Sequence, residues 1–185
     1  MERRSDCALS GCLESDPSTS STEDPPPQWV EIGLAPALEL GRGAAGASVL
    51  STSLTVRTWE GLRLGLSYTP TLGIIDGMEG CSTATICTDS RWRASARAEY
   101  QFGTRGLRPW LAMDLGRETW SGTDMTTSGF PEVSGVRTVW SGQAGFDGVI
   151  GSSDGSIGLG LFASYTRQSD GSGPGVGARL VMGFF

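Results

Sequence analysis

The sequence predicts an all-β protein whose fold is an eight-stranded antiparallel up-and-down β-barrel. Eight runs of residues alternate between apolar and polar side chains, and such alternation is typical of strands, whose successive side chains point to opposite faces of a sheet. The segments between the runs are rich in Gly and polar residues and alternate in length. No apolar run reaches the roughly 18 residues that a membrane-spanning helix needs.

The first two runs differ in how clearly they alternate. In the first run, Val30 and Ile32 share one face with the leucines, whereas Glu31 and Glu39 share the other. The second run is the weakest because it is rich in Ser and Thr. The predicted strands cover residues 29–40, 48–58, 62–73, 91–102, 107–118, 136–148, 156–167 and 175–185.

Most of the later runs separate their two faces well. In the third run, leucines and Tyr68 lie opposite Arg63. In the fourth, alanines and aromatic residues lie opposite two arginines and a glutamate. In the fifth, leucines and a methionine lie opposite Arg108 and Asp114, and in the seventh, Ile and Leu lie opposite glycines.

The connections between the runs predict which end of the barrel each one occupies. Every second connection of a meander lies on the same side, so the short turns fall at one end and the longer segments at the other. Short turns at one end and long loops at the other are typical of bacterial outer-membrane barrels. The short turns are Trp59–Gly61, Gly103–Gly106 and Gly151–Gly155, the medium segments are 41–47 and 168–174, and the long ones are 74–90 and 119–135.

Two architectures fit eight alternating strands. A soluble barrel of the lipocalin type turns its apolar face inward, whereas a transmembrane barrel turns it outward to lipid. Aromatic residues on the apolar face cluster near strand ends, which predicts the girdles found at both membrane interfaces. The predicted girdle comprises Tyr68, Trp92, Tyr100, Phe102, Trp140, Phe146, Tyr165 and Phe184.

The polar face favours the transmembrane orientation. It carries arginines and carboxylates in near balance, separated by Gly and Ser, so opposite charges could neutralise one another inside a narrow lumen. The chain contains no lysine, which would be expected on the solvated face of a soluble barrel. The predicted network comprises Glu31, Glu39, Arg57, Arg63, Arg93, Arg97, Glu99, Arg108, Asp114, Glu118, Arg137, Asp147 and Arg179.

The last strand ends at Phe184-Phe185. A terminal aromatic residue there is similar to the β-signal of bacterial outer-membrane proteins, and residues 29–185 resemble the small eight-stranded barrels of the OmpA/OmpX kind. In that family the terminal Phe usually points outward, whereas alternation here sends Phe184 outward and Phe185 inward. The resemblance implies a Gram-negative outer membrane with a periplasmic tail and extracellular long loops. It also implies two partners, the lipid bilayer and the assembly machinery, the latter through the C-terminal strand.

Residues 1–28 differ in composition from the rest of the chain. They are rich in Ser, Thr, Asp, Glu and Pro, which offers too little apolar surface for folding, so we expect a disordered acidic tail before the barrel domain at 29–185. The string LSGC, ending at Cys12, is similar to a bacterial lipoprotein box in which Cys12 would carry lipid. The apolar segment that precedes such a box is missing, and a truncated or wrongly assigned start explains the tail equally well.

The composition excludes several functional classes. The chain has no histidine and a net charge of −6, whereas Ser-His-Asp triads and HExxH zinc sites need histidine and nucleic-acid binders need a basic surface. The serine of Gly151–Gly155 therefore lacks a partner for catalysis. The glycines of 41–46 precede a Ser-rich segment, not the helix of a dinucleotide site. We expect no enzyme activity, cofactor, metal site or nucleic-acid partner.

The four cysteines form two local pairs. Cys81 and Cys87 lie in the longest predicted loop, and an oxidising compartment would favour a disulfide between them; two free thiols is the alternative. The state of Cys7 and Cys12 stays open.

The predicted function is a membrane anchor or scaffold. Eight strands enclose space for side chains only, so a wide pore is not expected, and the loops 74–90 and 119–135 would bind an unidentified extracellular ligand or support envelope integrity. The alternatives are a soluble barrel that binds an apolar ligand inside and a narrow ion channel lined by Arg and Glu.

Overall fold

The structure, a computed structural model, describes residues 29–41, 44–74, 86–103, 106–124, 126, 128–152, 155–169 and 171–184. The N-terminal tail, with Cys7 and Cys12, and also Cys81 and Phe185, lie outside the described residues. The strands are β1 (Val30–Gly41), β2 (Ala44–Arg57), β3 (Leu62–Ile74), β4 (Ile86–Gln101), β5 (Gly106–Asp124), β6 (Glu132–Ser152), β7 (Gly155–Gln168) and β8 (Gly171–Phe184).

The eight strands form one closed barrel in sequence order, and every pair of neighbours is antiparallel. Closure comes from β1 and β8, which pair from Val30↔Phe184 to Glu39↔Gly175. A closed sheet leaves no unpaired edge along the barrel wall. The predicted fold class is confirmed.

The side chains of the wall alternate between outside and inside as the sequence pattern predicts. In β5, exposed and buried residues alternate from Leu107 to Leu115. Leu107 is 67% exposed, whereas Glu99 and Asp147 are 0% exposed. The outside is therefore apolar and the inside charged, which is the reverse of what the soluble, ligand-carrying alternative requires.

Three strands, β4, β5 and β6, are longer than predicted by four residues or more, and most of the predicted loop 119–135 is strand. Residues 119–123 of β5 pair with 132–136 of β6, and residues 86–91 of β4 pair with the same part of β5. Periodicity missed these segments because polar residues occupy both of their faces, so the sequence shows no alternation there.

These extensions form a sheet that continues beyond the barrel wall. The pairing of β3 with β4 stops at Pro70↔Trp92, and that of β6 with β7 stops at Val139↔Gln168. Among the described residues, 86–91 of β4 and 132–138 of β6 thus pair only with β5, and we call these two segments, together with 119–124 of β5, the projecting sheet. The barrel end that carries it is the projection side, and the opposite end is the turn side.

The tight turn at Trp59–Gly61 depends on glycine. Gly61 has a φ of 75°, a left-handed conformation, and a Cβ there would lie 2.8 Å from the carbonyl oxygen of Gln101. The backbone carbonyl of Gly61 accepts a hydrogen bond from the backbone amide of Gln101. Gly61 therefore joins β2 to β3 while holding the turn against the end of β4.

Across the described ranges we find no helix with the length and apolar character needed to cross a membrane.

Candidate functional site

The turn side of the lumen contains a network of ion pairs centred on Arg179 of β8. One terminal nitrogen of Arg179 donates to Glu31 Oε1 at 2.6 Å and to Glu99 Oε1 at 2.9 Å. Its other terminal nitrogen donates to Glu99 Oε2 at 3.0 Å. Because Glu31 is on the neighbouring strand and Glu99 lies across the lumen on β4, this single arginine connects both sides of the barrel.

Three more arginines complete this turn-side network. Arg97 donates to Glu99 at 2.9 Å and to Asp114 at 3.0 Å. Arg108 lies 3.1 Å from Glu31 and 3.5 Å from Asp147. The guanidinium of Arg63 donates to the side-chain carbonyl of Gln101 and lies 3.8 Å from Glu31.

The turn-side network is electrically balanced. Its four carboxylates face four guanidinium groups, and all eight residues are at most 5% exposed. An unpaired charge at such a depth would cost several kcal/mol, about 3–5 when one partner is removed. The members are Glu31, Glu99, Asp114 and Asp147 with Arg63, Arg97, Arg108 and Arg179.

A second, smaller network lies on the projection side. Arg93 is 3.3 Å from Glu39 and 3.0 Å from Glu118, so it bridges two carboxylates. Arg137 also donates to Glu118. Two acids therefore face two arginines in this projection-side network, with the hydroxyl of Thr166 beside Glu39.

Arg57 is the predicted network residue that stands apart. It is half-buried at the turn side, in register with Arg63. No carboxylate among the described residues forms an ion pair with it. The other twelve predicted residues all join one of the two networks.

Two inward aromatic residues were missed by the sequence analysis. Trp110 is 1% exposed and donates its indole N–H to Asp147 at 3.0 Å, and the guanidinium of Arg179 lies 4.4 Å from its ring centroid. Phe162 packs against Trp110, with 5.9 Å between ring centroids. The sequence does indicate their orientation. Trp110 lies two positions after Arg108 and Phe162 two positions after Gly160, so each shares the polar face of its strand.

Inward glycines provide the space for these two rings. A Cβ on Gly177 would lie 2.6 Å from the Phe162 ring, and one on Gly145 would lie 2.9 Å from the Trp110 ring. The rings and the two ionic networks together fill the lumen of the described barrel with side chains.

The eight predicted girdle residues all lie on the outer surface. Their exposed fractions run from 39% for Trp140 to 48% for Tyr165. Tyr68 and Trp92 are neighbours, with 6.3 Å between ring centroids, and Tyr100 and Phe102 are in edge-to-face contact at 4.8 Å. Their role at a membrane interface stays a prediction.

The outer face changes from apolar to polar at a defined level on the projection side. On β5 the outward residues are apolar from Leu107 to Leu115, and the next is Arg117. On β7 they are apolar or aromatic from Ile157 to Tyr165, and the next is Arg167. Nine residues of strand span about 30 Å, which at a tilt of about 40° gives an apolar band about 23 Å tall.

The band is not smooth. A groove of about 660 Å³ crosses the outside of β2, β3 and β4, where Ala94 and Ala96 lie beside the larger Leu54, Leu66 and Tyr68. The small side chains of β4 thus leave a shallow apolar depression in the wall.

The residues of the predicted disulfide and of the possible lipidation site lie wholly or partly outside the described residues. Cys87 lies in β4, but its side chain and the whole of Cys81 are outside the described residues, so their disulfide stays a prediction. Cys12, the possible lipidation site, is also outside them. Across the described part of the chain, no three His, Cys, Asp or Glu side chains are arranged as a metal site.

Comparison with known proteins identifies the fold. No protein-family model and no curated protein matches the sequence. Among solved structures, Neisserial surface protein A (NspA) is 18% identical, with a TM-score of 0.57 over 85% of this chain and 96% of that one. This chain has the fold of small outer-membrane β-barrels.

Two further structures share the small outer-membrane barrel fold. The N-terminal β-barrel domain of Pseudomonas aeruginosa OprF is 18% identical, with a TM-score of 0.52 over 83% of this chain and 97% of that one. The attachment invasion locus protein Ail of Yersinia pestis is 12% identical, with a TM-score of 0.50 over 85% and 96%. The suspected resemblance to small eight-stranded outer-membrane barrels is confirmed at the level of the fold.

Proposed function

We propose that this protein is an integral outer-membrane barrel that anchors a binding surface, the projecting sheet, outside the cell. The observation that carries the proposal is the polarity of the wall, with leucines outside and ion pairs inside. An apolar outer surface that continues around a whole barrel marks a membrane contact, since soluble monomers rarely expose patches above a few hundred Å².

The height of the apolar band supports membrane insertion. The band on β5 and β7 is about 23 Å tall, close to the height of about 25 Å that is typical of outer-membrane barrels. The girdle aromatics lie on this same outer face, where amphipathic rings favour the headgroup level. The fold of NspA, OprF and Ail supports the same environment.

The filled lumen supports an anchor and not a pore. Arg179, Glu99 and Trp110 lie across the centre and are at most 4% exposed. An ion would have to separate several buried ion pairs in order to pass. This packing therefore argues against the alternative of a narrow ion channel.

The projecting sheet is the part best placed to bind a partner. Within the part of the chain that the structure describes, residues 132–138 of β6 have no strand on their β7 side, and unpaired edges bind extended peptides by strand addition. At the tip, Phe130 is 60% exposed and has a φ of 48°, which is uncommon for a bulky residue. We propose that this edge and Phe130 contact an extracellular ligand.

The orientation follows from these assignments. We propose that the turn side and the N-terminal tail face the periplasm and that the projecting sheet faces outward. The C-terminal strand β8, which closes the barrel and ends in an outward Phe184, would be the segment that the assembly machinery reads.

Fractionation and gel mobility test the membrane assignment. We expect the protein in the outer-membrane fraction, insoluble without detergent, with a gel mobility that changes on boiling. Recovery as a soluble protein that saturably binds an apolar dye would contradict the proposal. Planar-bilayer recordings should show no stable conductance.

A shortened hairpin tests the binding role. Thr119 and Val136 are partners across β5 and β6, so joining them by Asn-Gly, a two-residue hairpin turn, removes the tip and part of the edge. Surface attachment of cells that display the protein should be lost while the heat-dependent mobility remains. Phe130→Ala should weaken attachment, whereas Trp59→Ala, at the opposite end, should not; unchanged attachment in the shortened variant would refute this role.

A further inference from the structure

We propose that Arg117 and Arg167 form a site on the outer wall for the anionic phosphate headgroup of an outer-leaflet lipid. The inference rests on the proposed membrane insertion and adds a specific lipid contact to it. It starts from a departure in the charge pattern, because the other arginines of the described strands are buried in the lumen or half-buried.

Arg117 and Arg167 are the two arginines with exposed side chains on the described strands. Neither forms an ion pair with a carboxylate among the described residues. The barrel carboxylates of both networks point inward, and Glu132, the outward acid of β6, lies six residues above Thr138, or about 20 Å along the strand. Among the described residues, this part of the outer face therefore has positive charge without a neighbouring carboxylate.

The two arginines flank the same stretch of β6. Arg117 is in register with Thr138, and Arg167 is in register with Trp140. With about 4.8 Å between neighbouring strands, their backbones lie about 10 Å apart across β6, offset by two residues. Two long side chains at this spacing can converge on one phosphate group or on two phosphates of one headgroup.

Their level on the wall matches lipid headgroups. Each is the first polar outward residue above the apolar band of its strand, and the half-exposed Trp140 and Tyr165 lie beside them. Hydroxyl groups complete the surface, since Ser172 is opposite Arg167, and the hydroxyls of Tyr165 and Ser172 are 2.8 Å apart.

Guanidinium chemistry favours phosphate at this site. Arginine presents a planar set of donors that bind phosphate oxygens in pairs. A basic residue near an anionic membrane surface contributes about 1 kcal/mol, or roughly fivefold in affinity. An acyl-chain contact alone would not need the two charges, so the part of the lipid that the two arginines bind is the headgroup.

Spin-labelled lipids test the site in reconstituted protein. We would measure the association of labelled phosphatidic acid and labelled phosphatidylcholine with the barrel in phosphatidylcholine vesicles by electron paramagnetic resonance. The wild type should prefer phosphatidic acid by roughly fivefold or more, and Arg117→Gln/Arg167→Gln should reduce the preference to near unity. Arg57→Gln, which removes one charge at the turn side, should keep it.

The outcomes separate this site from the proposed function. Failure of the protein to insert into any vesicle would overturn membrane insertion. Insertion with equal association of both lipids, or a preference that survives in the double variant, would overturn the headgroup site alone. Loss of the preference in Arg57→Gln as well would show a general charge effect and would also overturn the site.

Discussion

Arg179 on the last strand donates to Glu31 on the first strand at 2.6 Å, so an ion pair lies at the seam where the barrel closes. The two residues are 148 positions apart in the sequence. The same guanidinium reaches Glu99 across the lumen, and it stacks near Trp110. One side chain thus connects the two strands that close the barrel to the opposite side of the lumen.

Substitution Arg179→Gln should strongly destabilise the barrel. It leaves Glu31 and Glu99 buried with fewer cations, and breaking a buried ion pair costs about 3–5 kcal/mol. The free energy of unfolding in lipid vesicles, from urea titration, measures the loss. Arg117→Gln, which removes an exposed charge, should change it by less than about 0.5 kcal/mol; equal effects of the two substitutions would contradict the assigned role of Arg179.

Substitution Trp110→Phe should cost less. The ring contact with Phe162 is largely kept, but the hydrogen bond from the indole N–H to Asp147 is lost, and an unsatisfied buried acceptor costs about 1–3 kcal/mol. The fluorescence emission of the variant should also lose a blue-shifted component, since Trp110 is 1% exposed. An unchanged spectrum would argue against burial of this indole.

Substitution Gly177→Ala should strain the lumen. The new Cβ would lie 2.6 Å from both the Phe162 ring and the carbonyl oxygen of Pro36, and overpacking of this kind costs about 1–3 kcal/mol. Gly142→Ala is the matched control, because no atom lies within 4 Å of a Cβ there. Urea titration of both variants should show a clear loss for Gly177→Ala only.

Outward arginine substitutions should map the membrane by depth. Leu111 lies midway between Leu107 and Leu115 on the outer face of β5, so Leu111→Arg should cost about 2–4 kcal/mol. Thr119→Arg, above the apolar band, should cost about 0–1 kcal/mol. Folding free energies in vesicles provide the comparison, and equal costs at the two positions would place this face of β5 outside the bilayer.

Much of the barrel could be predicted from the sequence because each strand carries its own periodicity. The alternation between Leu62 and Tyr68 assigns inward and outward residues without reference to any other strand. The charged residues of the lumen were found in the same way, including Glu99 and Arg97, which occupy one face of β4.

The projecting sheet and the aromatic lumen residues were harder to predict. Ser90 and Ser121 pair above the wall, where both faces are polar and no apolar alternation marks a strand. Trp110 was missed because a large aromatic residue on a polar face fits the lumen only when glycines on neighbouring strands leave room, as its register partner Gly145 on β6 does.

The sequence by itself determined the number of strands, the face that each side chain occupies and the near balance of buried charge, because these properties follow from local alternation. Only the tertiary structure decided which carboxylate meets which guanidinium, such as Arg97 with Asp114 or Arg93 with Glu39. The physical reason is that these pairs depend on the register between strands and on the diameter of the closed barrel, and neither is encoded in the pattern of one strand.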